Sequence, residues 1–314
     1  MIFAYREGGI AMISIDVGFG NTKVYDGETL NVFPSIYYRA KAAEAVNDPR
    51  DMLLELDGER YHVGITALHK GGESQMERHN LLRHKLFILS AICATTRGDF
   101  SDKVLLGLPI SDMETMKESV EGLKGVYHVI FNGETREINI TAIKVYPQSE
   151  AVYNLLERQD ENIRDKAIGI IDVGQKTVDL AYYNYGTLDD DRCGSLTKLG
   201  CKSAYLDIQK ALNRVCDIDT EWYLVSKFLN REAIEEDKNR AFEDMARKIL
   251  SATSNLGWNY HELDAVYLIG GGSSYVEPFV KEHVKVLTGE SEKVIIPSNP
   301  VFANVRSYYE GELK

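Results

Sequence analysis

This sequence is short of cysteine, of positive charge and of long apolar runs, and each shortage removes a class of protein. Its four cysteines (Cys93, Cys193, Cys201, Cys216) form no CxxC pair and have no histidine at metal-ligand spacing. They read as reduced thiols, which excludes a disulfide framework or a zinc site. Lys and Arg number 36 against 48 Asp and Glu, a net charge of −12. A chain this acidic is unsuited to sequence-independent nucleic-acid binding, which works by neutralising phosphates. The longest apolar run, Leu86 to Ala94, is well short of the ~20 residues of a membrane helix. A soluble, cytoplasmic protein is therefore expected, with no direct nucleic-acid or membrane partner. Residues 1–11 lack the apolar core of a signal peptide and read as an extension ahead of a native start at Met12.

Hydrophobic residues make up 44% and charged residues 27%, which places the chain among folded globular proteins rather than disordered or fibrous ones. At 314 residues it is too long for one core, since single cores stop growing near ~250–300 residues. The basic cluster Arg78, His79, Arg83, His84 and Lys85 has helical spacing, with Leu81, Leu82, Leu86 and Leu89 on another face. It reads as a solvated helix face.

The order of elements is legible from apolar patterning and turn residues. Met12–Val17 is a strand that breaks at Gly18-Phe19-Gly20 and resumes at Thr22–Tyr25, with Thr29–Phe33 following an Asp26-Gly27 turn. Two short strands flank Asp57-Gly58, and a helix runs from about Met76 to Thr96. Lys103–Leu108 is a buried strand, a helix opens at Ser111 with Asp112 as its cap, and Tyr127–Phe131 pairs with Arg136–Ile143 about Asn132-Gly133. A further helix covers Ala151–Arg158. The pattern then repeats. Ala167–Val173 breaks at Gly174 and resumes at Thr177–Asn184, a helix-rich stretch covers 203–255, and Ala265–Ile269 closes on Gly270-Gly271-Gly272. Helix Val276–Leu287, a strand at Lys293–Ile296 and a helix from Asn304 end the chain.

The repeat carries the argument. Ile13-Ser14-Ile15-Asp16-Val17-Gly18 and Gly169-Ile170-Ile171-Asp172-Val173-Gly174 are each an apolar strand ending in Asp-x-Gly, then Thr, then a second strand. Two similar α/β halves follow. Glycine lets backbone amides approach phosphate oxygens where a side chain would collide. An Asp at the strand end suits Mg²⁺, which takes few carboxylates and keeps several waters. Thr22 and Thr177 add hydroxyls, and Lys23 adds a cation for a phosphate. A third glycine turn, Gly270-Gly271-Gly272-Ser273, lets backbone lie flat against a nucleotide.

The three segments resemble the phosphate 1, phosphate 2 and adenosine motifs of the actin, chaperone and sugar-kinase ATPase superfamily, in the correct order. Asp16-Val-Gly-Phe-Gly-Asn-Thr-Lys23 and Asp172-Val-Gly-Gln-Lys-Thr-Val-Asp179 most resemble its ParM and archaeal actin-like branch. Tyr146-Pro147-Gln148-Ser149-Glu150-Ala151 resembles that branch's first interdomain connection, and Val301-Phe302-Ala303-Asn304 the start of its C-terminal connecting helix. The resemblance implies an α/β fold of two actin-like (ribonuclease-H-like) domains, 12–148 with 298–314 and 149–297, with a nucleotide cleft between them. It also implies ATP or ADP and Mg²⁺ as ligands and ATP-dependent self-assembly. Asp16 and Asp172 become the metal-side carboxylates. Gly18, Gly20, Asn21, Thr22 and Lys23 become phosphate contacts, with Gly174, Gln175, Lys176 and Thr177 opposite them in the second motif. Many relatives carry small residues where this chain has Gln175 and Lys176, so Lys176 either adds charge near the phosphates or is a solvated lysine.

Gln148 separates two reactions. Sugar kinases place a carboxylate in this segment as general base. A glutamine amide takes no proton but orients water for attack on a γ-phosphate, which favours hydrolysis. Glu150 keeps a kinase reading open, its alternative being a capping acid; Asp112 is a second, weaker base. Asp244, Arg247 and Lys248 resemble the charged helix beside ribose and adenine in related chaperones, or form a solvated helix face. Gly200 is a further nucleotide contact. The leading function is a cytoskeletal ATPase that assembles with ATP, with a DNA-adaptor partner if it segregates plasmids. The alternatives are a small-molecule kinase and a non-polymerising ATP-binding adaptor.

Overall fold

The computed structural model describes residues 12–41, 51–72 and 80–313. The 1–11 extension, with Arg78 and His79 of the basic cluster, lies outside the described residues. The chain divides into two compact units, Met1–Leu155 with Asn304–Lys314, and Leu156–Ala303.

In the first unit, β1 (Met12–Val17), β2 (Asn21–Tyr25), β3 (Leu30–Pro34), β4 (Tyr37–Arg39), β5 (Met52–Leu56) and β6 (Glu59–Val63) precede a short helix α1 (Ile65–His69). Then come α2 (Leu81–Thr95), β7 (Phe100–Leu108), α3 (Met113–Glu121), β8 (Gly125–Phe131), β9 (Glu134–Pro147) and α4 (Val152–Gln159), within which the chain leaves the unit. The sheet order is β3-β2-β1-β7-β9-β8-β5-β6-β4. β1 is buried at all six positions, as a strand covered on both faces must be. β2 alternates buried residues with exposed or half-buried ones. The turn after it is closed by Asp26, whose carboxylate accepts from the Glu28 and Thr29 amides and the Thr29 hydroxyl, an Asx turn.

Two departures from the sequence reading matter for the site. β9 runs four residues past Ile143, because its parallel register with β7 continues from Lys103↔Ala142 to Leu108↔Pro147. Within α2 the residues of the basic cluster do not form a solvated face: Arg83 and His84 are each 4% exposed, whereas Leu81 and Leu82 are the exposed residues of that turn. From Leu86 to Thr95 every residue of α2 is buried. A helix enclosed all round has no outward face to give its cations, and Arg83 lies three and four residues before Leu86 and Phe87, on their side. Burial pushes the His84 imidazole down to about 4, so it is neutral. Asp112 stands at the N-cap of α3 but makes no side-chain capping bond, its backbone being already helical.

The second unit holds β10 (Ala167–Val173), β11 (Val178–Asn184), β12 (Thr187–Leu188), β13 (Gly194–Leu196), α5 (Cys201–Cys216), α6 (Glu235–Asn255), β14 (Ala265–Ile269), α7 (Ser273–Thr288) and β15 (Val294–Ile295). Its sheet order is β12-β11-β10-β14-β15, with β13 also on β11. β10 pairs antiparallel with β11 and parallel with β14; β1 pairs antiparallel with β2 and parallel with β7. The repeat read in the sequence is thus a repeat of strand order. Helix α6 opens on Glu235, Glu236 and Asp237, which suit the positive end of its dipole, and turns Phe242, Met245 and Ile249 inward. Helix α8 (Ala303–Glu312) ends the chain and returns it to the first unit, where Glu312 meets Lys103, Lys144 and Tyr146 at 2.7 Å each.

Candidate functional site

Parallel pairing sets β1, β7 and β9 with their carboxyl ends on one edge, the edge where α/β sheets carry ligands. The register places Asp16 opposite Gly107, and Gly107 opposite Tyr146. Gln148 follows directly: its amide N–H continues the ladder to the Leu108 carbonyl at 2.8 Å. Its side chain reaches back across the sheet end, and Nε2 donates to Asp16 Oδ1 at 2.7 Å. The carboxylate must accept, so the amide nitrogen faces it and the amide oxygen points elsewhere. On the other carboxylate oxygen, Lys23 Nζ donates at 2.7 Å. Asp16 is 2% exposed, so its charge is balanced by a lysine and held in place by an amide.

The segment after Gln148 is strained and pinned. Ser149 is fully buried at φ 66°, a region non-glycine residues seldom occupy. Its N–H donates to Asn304 Oδ1 at 3.1 Å, and the Glu150 N–H returns to the Gln148 carbonyl at 2.8 Å. Strain at one residue redirects the chain out of the strand. The side chain brought to Asp16 is Gln148, while Glu150 lies beyond the bend.

The turn Gly18-Phe19-Gly20 is half-buried. A Cβ on Gly18 would lie 2.7 Å from the Asn21 carbonyl oxygen and 3.1 Å from Lys23 Nζ, so glycine is required there by the close return of the chain. Asn21 is exposed and Lys23 half-buried, but Thr22 between them is fully buried, its hydroxyl 2.9 Å from that of Ser35. Thr177 repeats this: it is buried and donates to Asp179 Oδ2 at 3.3 Å. Both threonine hydroxyls have side-chain partners within their own halves, and Thr22 shares the buried face of β2 with Val24.

In the second unit Asp172 lies opposite Ile269 on β14, so the glycine turn begins beside it. Gly270 has φ 84°, and a Cβ there would collide with Asp172 Oδ1 and the Val173 carbonyl. A Cβ on Gly272 would strike Cys201 Sγ and Val173. Gly271 is exposed with open space around its Cα. The three glycines thus divide: two allow close packing and one faces outward. Ser273 is buried and donates to the Gly270 carbonyl at 2.9 Å, so it closes the turn. Gly174 through Gln175 and half-buried Lys176 to Thr177 is held from the α5 side. The Cys201 and Lys202 amides donate to the Gly174 and Gln175 carbonyls at 3.1 and 2.8 Å, and a Cβ on Gly200 would meet the Gln175 carbonyl oxygen at 2.7 Å. Gly200 is buried and supports this turn from behind. Burial pushes the Cys201 thiol up to about 12, and none of the four cysteines is in a disulfide.

The charged residues of α6 separate. Arg247 pairs with Asp244 at 2.9 Å and Glu243 at 3.0 Å on an exposed face. Lys248 instead lines an open hollow with Ser195, Leu196, Lys198, Leu199 and Ser203, where its ammonium suits a polar ligand; the Ser203 hydroxyl donates to the Gly200 carbonyl at 2.7 Å.

A residue the sequence reading misplaced belongs to the first turn. Arg83 Nη2 donates to the Gly18 carbonyl at 2.8 Å, and its guanidinium lies 5.7 Å from the Phe19 ring and 5.1 Å from Phe87. The available signal was the spacing of Arg83 from Leu86 and Phe87, obscured by the neighbouring cations. Among the described residues no three His, Cys, Asp or Glu side chains gather at one point. Each strand-end Asp offers a single carboxylate beside a glycine turn, a donor set that would suit Mg²⁺ bound mainly by substrate phosphates and water.

The repeated strand order and the glycine turns at strand ends define a chain of two actin-like halves. The family model for the N-terminal domain of actin-like proteins matches residues 14–150, and that for the C-terminal domain of the archaeal actin homologue, MreB-like, matches residues 170–282. The chain belongs to the actin-like proteins. No curated protein matches its sequence. Solved structures share the fold along nearly the whole length. A non-polymerisable quadruple mutant of pCBH ParM has a TM-score of 0.79 at 19% identity, covering 96% of this chain and 99% of its own. The archaeal actin homologue Ta0583 has a TM-score of 0.80 at 18% identity, covering 97% and 100%, and has also been solved in complex with ADP. ParM from Clostridium botulinum, solved as a 15-stranded filament, has a TM-score of 0.78 at 18% identity, covering 97% and 100%. Among the described residues no helix is long and apolar enough to cross a membrane.

Proposed function

We propose that this chain is an actin-like ATPase that binds Mg-ATP, hydrolyses it and assembles into homopolymeric filaments, in plasmid segregation or as a prokaryotic cytoskeletal scaffold. The observation that carries this reading is the Gln148 amide fixed on the Asp16 carboxylate at 2.7 Å, which supports a role for the amide in orienting water. The ADP complex of one neighbour and the filament of another support it. Asp16 at the first phosphate turn and Asp172 at the second are the carboxylates that would serve Mg²⁺, which would neutralise phosphate charge when bound. The residues of the chain do the rest. Lys23 balances Asp16, the glycine turns at Gly18 and Gly174 admit phosphate oxygens, and Lys248 serves the nucleoside. The oxygen of the Gln148 amide accepts from a water and aims it for in-line attack. A glutamine cannot deprotonate a substrate hydroxyl, which sets hydrolysis above the kinase reading through Glu150. Segregation would need a DNA-binding adaptor protein, because the chain at −12 does not itself grip DNA.

Sedimentation with and without Mg-ATP, run beside phosphate release, tests the proposal. Wild-type protein is expected to pellet with ATP and to release phosphate. Asp16→Ala and Asp172→Ala are expected to lose hydrolysis. Gln148→Ala is expected to retain ATP affinity and assembly while phosphate release slows roughly 10²–10⁴-fold, the span of a positioned catalytic group. Nucleotide binding without sedimentation at any concentration or salt would favour the kinase or adaptor reading; unchanged phosphate release would remove Gln148 from the reaction.

A further inference from the structure

Arg83 poses a question of charge. It is 4% exposed, and a buried guanidinium is costly unless a carboxylate answers it. Its polar contacts are the Gly18 carbonyl, at 2.8 Å, and its own amide N–H on the Asn80 side chain, at 3.1 Å; the rings of Phe19 and Phe87 supply its faces. Asp16 is the carboxylate whose charge it feels, yet Asp16 already holds Lys23 in direct contact. Burial lowers the guanidinium only to about 10, so it stays charged at neutral pH. A methionine of similar length would fill the same space between Phe19 and Phe87 at less cost. Packing alone therefore does not account for a cation at this place, against the backbone of the first turn.

We propose that Arg83 is a positioning residue for the nucleotide phosphates, acting through the Gly18 carbonyl. The bond fixes the peptide between Gly18 and Phe19, at the point where Gly18 is required by the close return of Asn21. A cation on a peptide carbonyl polarises that peptide and strengthens its N–H as a donor to anions. The guanidinium fork also has planar faces to lie against Phe19, which holds the turn's side chain as well as its backbone. A polyphosphate at the turn then meets an ordered main chain with the guanidinium's positive charge behind it. The inference rests on the reading of the first turn as a phosphate turn.

The test compares ATP with adenosine on the full chain, by titration calorimetry with Mg²⁺ present, in wild type, Arg83→Met and Arg83→Lys, beside thermal melting without nucleotide. Arg83→Met is expected to melt at or above the wild-type temperature, because a buried charge is gone. It is expected to bind ATP roughly 10–100-fold more weakly, the value of a hydrogen bond to a charged group, and adenosine within about threefold of wild type. Arg83→Lys, which keeps the charge but not the fork, is expected to fall between the two for ATP. Equal losses for ATP and adenosine, or ATP binding at wild-type strength in Arg83→Met, would overturn the proposal. Should Arg83→Met not fold, Arg83→Lys decides by the same criterion of an ATP-selective loss. A wild-type chain that binds neither ligand would refute the nucleotide reading itself, an outcome distinct from wild-type binding that Arg83→Met leaves intact.

Discussion

At the end of β1, Asp16 is held by side chains, with Lys23 and Gln148 each at 2.7 Å and Arg83 on the adjoining Gly18 carbonyl. At the end of β10, Asp172 is walled by main chain: Gly270 lies against its carboxylate, the Gly272 N–H donates to the Val173 carbonyl at 2.9 Å, and the amides opening α5 hold the turn that follows. Both strands occupy the same place in the same strand order. One pattern of sequence, Asp-x-Gly at a strand end, thus carries a lysine and a glutamine on its carboxylate in the first half and a closely packed glycine against its carboxylate in the second. Side chains can be changed one at a time and graded in effect; backbone proximity tolerates almost no added atom.

The comparison is broken most severely at Gly270. An alanine there would adopt φ near 84° and drive its Cβ into Asp172 Oδ1 and the Val173 carbonyl. Backbone strain and overlap together are expected to cost about 2–4 kcal/mol in denaturant unfolding. Gly18 does not have a positive φ, and one of the two atoms closest to an added Cβ is the end of the Lys23 chain, which can move in Gly18→Ala. It is expected to cost about 1–2 kcal/mol. Equal losses would mean that the first turn is as rigidly backbone-built as the second.

Side-chain support in the first unit continues into α8. Glu312 receives Lys103, Lys144 and the Tyr146 hydroxyl, which hold its carboxyl down at about 2 against an ordinary 4.5. Because the folded pKa is depressed, this stabilisation is complete above pH 4.5 and is lost as pH falls through about 2. Lys103 and Lys144 are 37% and 56% exposed, so screening reduces the effect to about 1–2 kcal/mol. Glu312→Gln is expected to lower stability by that amount at pH 7 and to flatten the decline between pH 4.5 and 2. A variant with an unchanged acid profile would show that α8 is held by the Tyr146–Tyr308 stack at 5.6 Å rather than by charge.

Much of this was legible in the sequence, and the exceptions share a cause. β1, β10 and β14 begin and end where the apolar runs and Gly breaks place them, because a strand buried on both faces leaves a continuous run. Gln148 was identified by its place in a segment. The contact with Asp16 needed the longer β9 and its register with β7, which local patterning does not report. β4, with three residues, is too short to show a period. Arg83 was hidden by composition, since five cationic or imidazole side chains within eight residues read as a solvated surface. Gly200 and Gly270 are defined by what lies across from them in space, and single-sequence reading has no access to that. The threonines differ: Thr22 and Val24 are two apart on one strand and must share a face, so the burial of Thr22 was there to be read.

That burial gives the smallest effect and the cleanest test of the symmetry between the halves. Thr22 bonds Ser35 at 2.9 Å, and Ser35 is itself 1% exposed; Thr22→Val leaves that hydroxyl without its partner. Thr177 donates to the Asp179 carboxylate over a longer 3.3 Å, with Asp179 2% exposed. Valine matches threonine in shape, so the loss in each case is the hydrogen bond alone, about 1 kcal/mol. The shorter, fully enclosed bond at Thr22 should cost the more. Thermal melting reads the stability, and ATP titration reads whether either hydroxyl serves the ligand. Both variants are expected to melt lower and to bind ATP as wild type does. If Thr177→Val instead bound ATP tenfold more weakly with its melting temperature unchanged, that hydroxyl would turn toward the ligand when nucleotide is present. The second half would then use a side chain where the first uses Lys23.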